Sequence, residues 1–81
     1  MTIDKTIYLH LYTTSHCHLC ETALTLLLLT PKISIPKIIE ITNNEKLLER
    51  YGLKIPVLQR QDTLTELNWP FSTSDIVEFV K

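Results

Sequence analysis

Glycine is almost missing from this chain: Gly52 stands alone among 81 residues. Reversals must therefore be made by other residues, and Arg60-Gln61-Asp62 separates two strand-like runs at hairpin spacing without a turn glycine. Cysteine is nearly as scarce, with only Cys17 and Cys20. A disulfide between them closes so short a loop that its entropic contribution, about 2 kcal/mol, is readily cancelled by strain. Neither sign of charge dominates: 8 Lys+Arg against 9 Asp+Glu give a formal charge of -1, which leaves no basic face and excludes nucleic acid as an expected partner. The longest wholly apolar run, Leu26-Leu27-Leu28-Leu29, is far short of the roughly 20 residues a membrane helix needs. Met1-Thr2-Ile3-Asp4-Lys5 lacks the basic region, apolar stretch and small-residue cleavage site of a secretory signal, so the expected location is the cytoplasm. There is no repeat, linker or low-complexity stretch. With 44% hydrophobic and 21% charged residues, one globular domain over 1–81, expected to act as a monomer, is the economical reading.

What the chain does have is Cys17-His18-Leu19-Cys20, set between a strand-like run and a leucine-rich helical run. In that context a C-x-x-C reads as a redox-active dithiol. A helix starting near His18 aims its unpaired N–H groups and the positive end of its dipole at Cys17, favouring thiolate over thiol. An unperturbed thiol with a pKa near 8.5 is about 3% ionised at pH 7, whereas a pKa near 7 gives roughly half. Cys17 is therefore the candidate nucleophile, and Cys20, one turn inside the helix, the candidate resolving thiol. A protonated His18 beside Cys17 would stabilise the thiolate, and His16 is a second candidate for tuning the sulfur. Both also read as ordinary exposed residues, and His10 reads as a packing residue within a strand.

Thr6–Tyr12 alternates aliphatic with aromatic residues or His and suits a central strand covered on both faces. His18–Leu29 reads as a helix ending before Thr30-Pro31. Ile33–Ile41, with Pro36 early, reads as an edge strand. Thr42 and Glu45 have capping-box spacing for a second helix, with Leu47, Leu48 and Tyr51 on its apolar face and Gly52 as a left-handed stop. Ile55–Gln59 and Thr63–Leu67 read as an antiparallel pair. After Trp69-Pro70-Phe71, Ser72 and Asp75 are placed to cap a last helix carrying Ile76, Val77, Phe79 and Val80. The order is β-α-β-α-β-β-α, an α/β (α+β) fold.

Those elements, together with Cys17-His18-Leu19-Cys20, Tyr51-Gly52-Leu53-Lys54-Ile55-Pro56-Val57-Leu58 and Trp69-Pro70-Phe71, resemble the thioredoxin-like fold at its minimal size: a four-stranded mixed sheet flanked by three helices. Glutaredoxins are the closest branch, and the narrower likeness is to small bacterial glutaredoxin-like proteins. The resemblance implies a thiol–disulfide oxidoreductase in which Cys17 attacks, Cys20 resolves, and Ile55-Pro56 is a cis step whose Ile55 N–H and C=O face an extended substrate. It implies protein or low-molecular-weight disulfide substrates, no bound cofactor, and an external thiol reductant, glutathione or a thioredoxin system. Trp69 would form a wall near the dithiol. Glutaredoxins hold glutathione through a Thr-Val-Pro segment and a Gly-Gly-Asp-type turn; here Lys54-Ile55-Pro56 replaces the first, and a chain with one glycine cannot form the second. If glutathione serves as co-substrate, its carboxylate would fall to Ser72, Thr73 and Ser74 at the last helix's N-terminus, with Lys54 as a second charge contact and Asp75 opposing.

Two rival readings remain. His16, Cys17, His18 and Cys20 are potential zinc ligands, but adjacent residues converge poorly on one tetrahedral ion and no second Cys or His pair follows. Iron–sulfur binding by a glutathione-bridged dimer, as among glutaredoxins, inherits the altered glutathione contacts. The other rival is a non-catalytic interaction module using the first helix's leucines with Trp69 and Phe71. Helices flanking a sheet in so small a domain need broad apolar faces, so Leu24, Leu26, Leu27 and Leu28 are expected mostly in the core.

Overall fold

The computed structural model describes residues 7–81, so Thr6 and the Met1–Lys5 segment fall outside it. The chain runs β1 (Leu9–Thr13), α1 (His18–Leu29), β2 (Lys37–Glu40), α2 (Glu45–Tyr51), β3 (Val57–Arg60), β4 (Glu66–Asn68) and α3 (Thr73–Phe79). Strand order is β2-β1-β3-β4. β1 pairs parallel with β2 and antiparallel with β3, and β3 pairs antiparallel with β4. The parallel pair needs a crossover, which α1 supplies. This is the expected thioredoxin-like architecture, with β2 at an edge.

β1 is interior, so its alternation feeds two cores. Leu9 and Leu11 pack with Ala23 and Leu27 of α1, Leu58 of β3, Ile76 of α3, and Phe71 just ahead of that helix. On the opposite face Tyr12 packs with Ile41, Tyr51 and Val57. That second face also holds a polar network. Tyr12 Oη donates to Gln59 Oε1 at 2.8 Å, Tyr51 Oη donates to Glu66 Oε2, and the two tyrosine rings stack at 4.2 Å. Burial first, then the Glu66 carboxylate, pushes the Tyr51 phenol above its ordinary pKa. His10 is half-buried, edge-on to Tyr12 at 6.3 Å, and burial followed by the Lys37 charge lowers its pKa.

α1 has the expected bounds. Cys20, Ala23 and Leu27 form its buried stripe, and Thr30 ends it, Oγ1 donating to the Leu26 carbonyl at 2.8 Å and N to the Leu27 carbonyl at 3.2 Å. Leu28, expected in the core, is 60% exposed, because four successive leucines spread over about 300° of helix and cannot share one face. β2 is shorter than Ile33–Ile41, starting only after Pro36, which has no N–H for the ladder.

α2 departs most from expectation. Its cap is Asn44 rather than Thr42: Asn44 Oδ1 accepts from Lys46 N at 3.0 Å and Leu47 N at 3.2 Å. Asn44 directly precedes the first helical residue, whereas the Thr42 N–H is drawn to Glu40 Oε2 at 3.2 Å. Gly52 is not a left-handed stop, since φ is -51° and ψ is -34°. What it contributes is smallness: a Cβ there would stand 2.5 Å from the Leu48 carbonyl oxygen. Leu48, expected on the buried face, is exposed. The β3–β4 connection is longer than the expected three residues, and Leu64, at φ 62°, takes the conformation that a turn glycine would have taken. At α3 the expected capping box is present, Ser72 Oγ accepting from Asp75 N at 3.1 Å and Asp75 Oδ2 from Ser72 N at 2.8 Å.

Candidate functional site

The loop from β1 to α1 delivers Cys17 to the N-cap position of α1 with extended backbone angles. There its Sγ accepts the Cys20 N–H at 3.2 Å and its carbonyl accepts the Glu21 N–H at 3.1 Å. Cys17 and Cys20 form a disulfide, their Cα atoms 5.2 Å apart. Cys17 is half-buried and Cys20 buried, so the two sulfurs differ in access, and the one nearer solvent is also the one facing helix N–H groups. A negative charge at such a position faces the positive end of the helix dipole.

His16, immediately ahead, adopts φ 60°, a left-handed conformation that costs a non-glycine residue about 1–2 kcal/mol. No sequence signal marks it. The preceding Ser15 is held from the neighbouring strand: Ser15 N and Oγ both donate to Glu40 Oε1 at 2.9 Å. Glu40 likewise carries no signal in the sequence, where it reads as a charge on an edge strand. His18 opens α1 with its side chain 90% exposed and Nδ1 3.9 Å from Glu21 Oε2. His16, Cys17 and Cys20 line one hollow with Ser15, Glu21 and Ile38.

The Ile55–Pro56 step is cis, with Pro56 fully buried. The Ile55 N–H does not present itself to a partner. It donates to the Tyr51 carbonyl at 3.1 Å, and the Lys54 N–H joins it there at 2.8 Å. Of the two backbone groups expected to face a substrate, the carbonyl is thus the one without a donor among the described residues. Lys54, Ile55 and Trp69 share an open groove with Leu19, Leu53 and Asn68. Leu19, from between the cysteines, and Leu53 are exposed, and neither is identifiable from sequence because an isolated leucine carries no chemical signature. The Trp69–Pro70 bond is also cis, and the Trp69 ring meets Phe71 edge-on at 5.1 Å. Ser72 is not among the groove's lining residues; its hydroxyl and N–H are both engaged with Asp75. Among the described residues no three His, Cys, Asp or Glu side chains gather as metal ligands, and no helix is long and apolar enough to cross a membrane.

Comparison with known proteins gives a consistent assignment. The X-ray structure of the structural genomics target protein XcR50 from X. campestris is similar at 30% identity and TM-score 0.81, covering 89% of this chain and 93% of that one. Its solution structure gives 30% identity and TM-score 0.79. The solution structure of protein Ne2328 from Nitrosomonas europaea is 27% identical with TM-score 0.78, covering 98% of this chain and 96% of that one. No curated protein matches. The profile of the glutaredoxin-like domain (DUF836) matches residues 8–81, and with a C-x-x-C pair heading α1 of a thioredoxin-like fold the chain belongs to that glutaredoxin-like family.

Proposed function

We propose that the protein is a thiol–disulfide oxidoreductase working through Cys17 and Cys20. The observation that carries this reading is the N-cap placement of Cys17, whose Sγ sits under the Cys20 N–H at 3.2 Å. In the reduced protein the same N–H would stabilise a Cys17 thiolate. That thiolate attacks a substrate disulfide, forming a Cys17–substrate bond and expelling the other substrate sulfur as a thiolate. Cys20 then attacks Cys17 Sγ, closing the Cys17–Cys20 disulfide and releasing the second substrate thiol. Two electrons pass from dithiol to substrate, and two external thiols return them. Substrates are protein or low-molecular-weight disulfides, received along Lys54, Ile55 and Trp69. The reductant is glutathione or a thioredoxin system, the setting a reducing cytoplasm, and the acting species a monomer. No bound cofactor enters the cycle.

The capping box at Ser72 bears on glutathione. Because Ser72 N and Asp75 N are already satisfied and Asp75 brings a negative charge to the same turn, the α3 terminus is a weak anion site. Glutathione therefore enters as a reductant rather than as a tightly held ligand.

Equilibration against graded glutathione buffers, with mass spectrometry of the products, tests the proposal. A reversible two-electron couple between about -280 and -180 mV is expected, and Cys20→Ser is expected to accumulate a mixed disulfide at Cys17. A Cys17 thiol inert at neutral pH, or a Cys20→Ser protein forming no mixed disulfide, refutes it and favours the interaction module.

A further inference from the structure

Glu40 ends β2, in parallel register with Thr13 at the end of β1. The ladder continues one step further, Ile41 N donating to the Thr13 carbonyl at 3.0 Å, so the backbone at Glu40 is anchored beside the loop that leads to Cys17. From that anchor the side chain spans to the loop: Oε1 accepts both Ser15 N and Ser15 Oγ at 2.9 Å, while Oε2 accepts Thr42 N at 3.2 Å. A single carboxylate thus ties the end of β2 to the β1–α1 loop, at a residue two positions from the candidate nucleophile. His16, between the clamp and Cys17, holds φ 60°, a conformation a histidine leaves when nothing constrains it. Desolvation raises the Glu40 pKa, but the hydrogen bonds from the Thr42 backbone and the Ser15 side chain, helped by the neighbouring Thr14 and Thr42 hydroxyls, outweigh it and hold the value at about 2. The carboxylate is therefore ionised, and a full acceptor, wherever the dithiol works.

Resting on the oxidoreductase reading above, we infer that Glu40 is a positioning residue for the dithiol: by clamping Ser15 it fixes the His16 turn and so keeps Cys17 Sγ under the Cys20 N–H. The sign of its effect separates this role from electrostatics. A nearby negative charge by itself opposes a thiolate, so an electrostatic Glu40 would make Cys17 less reactive, and removing it would speed the thiol. A positioning Glu40 does the reverse. Without the clamp the turn relaxes, Sγ leaves the helix N-terminus, and the thiolate loses its donor.

The test is the pH profile of Cys17 alkylation by iodoacetamide in the reduced full chain, read by mass spectrometry, for wild type, Glu40→Ala, Glu40→Gln and Ser15→Ala. Glu40→Ala is expected to move the profile to higher pH and slow alkylation at neutral pH about fivefold, the loss of thiolate that follows a rise in thiol pKa from about 7 to about 8. Ser15→Ala removes one of the two hydrogen bonds from Ser15 and is expected to slow it about twofold. Glu40→Gln keeps an acceptor oxygen for Ser15 and is expected to stay near wild type. Thermal unfolding of each variant accompanies the rates; should Glu40→Ala not fold, Ser15→Ala and Glu40→Gln carry the test. Glu40→Ala and Ser15→Ala proteins that alkylate like wild type, or faster, overturn the inference while leaving the oxidoreductase reading intact. A wild-type Cys17 with an ordinary thiol profile defeats both.

Discussion

Replacing Tyr51 by Phe removes one oxygen from the polar network on the second face of the sheet, and its consequence depends on pH in a calculable way. The ring is 2% exposed and stacked on Tyr12 at 4.2 Å, contacts that Phe preserves. What is lost is a hydrogen bond to the Glu66 carboxylate. Bonds to charged partners contribute about 1.5–3 kcal/mol. Glu66 is 21% exposed and keeps Arg50 at 3.6 Å and Gln59 Nε2 at 3.4 Å, so the lower end applies, about 1.5 kcal/mol at neutral pH. Alkali changes the balance. Burial first, then the Glu66 hydrogen bond and charge, raises the folded Tyr51 pKa above the ordinary phenol value of 10.0. Above that value an unfolded chain releases the phenolic proton while the folded protein retains it. The contribution of Tyr51 is therefore complete below pH 10 and declines above it by up to about 1.4 kcal/mol per pH unit. Phe has no proton to release, so wild type and variant converge about one unit higher, near pH 11. Titrations of the other tyrosines and lysines are shared and cancel in the difference. Urea unfolding of the disulfide-intact proteins, followed by far-ultraviolet circular dichroism at a series of pH values, measures the gap. A gap that stays constant into alkali, or no gap at neutral pH, refutes this role for the Tyr51 hydroxyl.

Leu27→Ala and Leu28→Ala form a paired test of the α1 stripe: the first, at 1% exposure, is expected to lose about 2–5 kcal/mol of unfolding free energy, and the second, at 60% exposure, less than about 0.5. Comparable losses would contradict the packing of α1 on the sheet. Ser72→Ala breaks the α3 capping box and is expected to cost about 1 kcal/mol, a drop of about 4–8 °C in Tm for a domain this size. Gly52→Ala ordinarily gains stability through the unfolded chain, but here a Cβ meets the Leu48 carbonyl oxygen at 2.5 Å. A lower Tm is expected, and an unchanged or higher one would show that the backbone gives way without penalty.

Much of the fold is legible in the sequence because it is local or periodic. The span of α1 follows from an apolar run and Thr30-Pro31, both within one stretch of chain. The capping box follows from Ser72 and Asp75 three positions apart, and the edge placement of β2 from Pro36 and its charges. The cis Ile55–Pro56 step is legible only through family resemblance, since most X–Pro bonds in folded proteins are trans. Competition between neighbours is harder to read. Thr42 and Asn44 both have capping chemistry, and Glu40, reaching from a strand end, settles the matter by engaging the Thr42 N–H. The leucines of α1 are chemically alike, so the division between Leu27 and Leu28 awaits the direction from which the sheet approaches.

The cysteine pair is legible from local chain alone, because a C-x-x-C at the head of a helix needs only the geometry of one turn to aim an N–H at the first sulfur. Tertiary structure alone decided what surrounds it. Ser15 and Glu40 are 25 residues apart, and they meet because β1 and β2 align Thr13 with Glu40. Register of that kind is a property of two strands packed on a shared core, and neither segment encodes it alone. The same holds for the groove, where Leu19 of α1 meets Lys54, Ile55 and Trp69. Long-range pairing fixes which side chains share a site, because burial selects among registers that local propensity leaves equivalent.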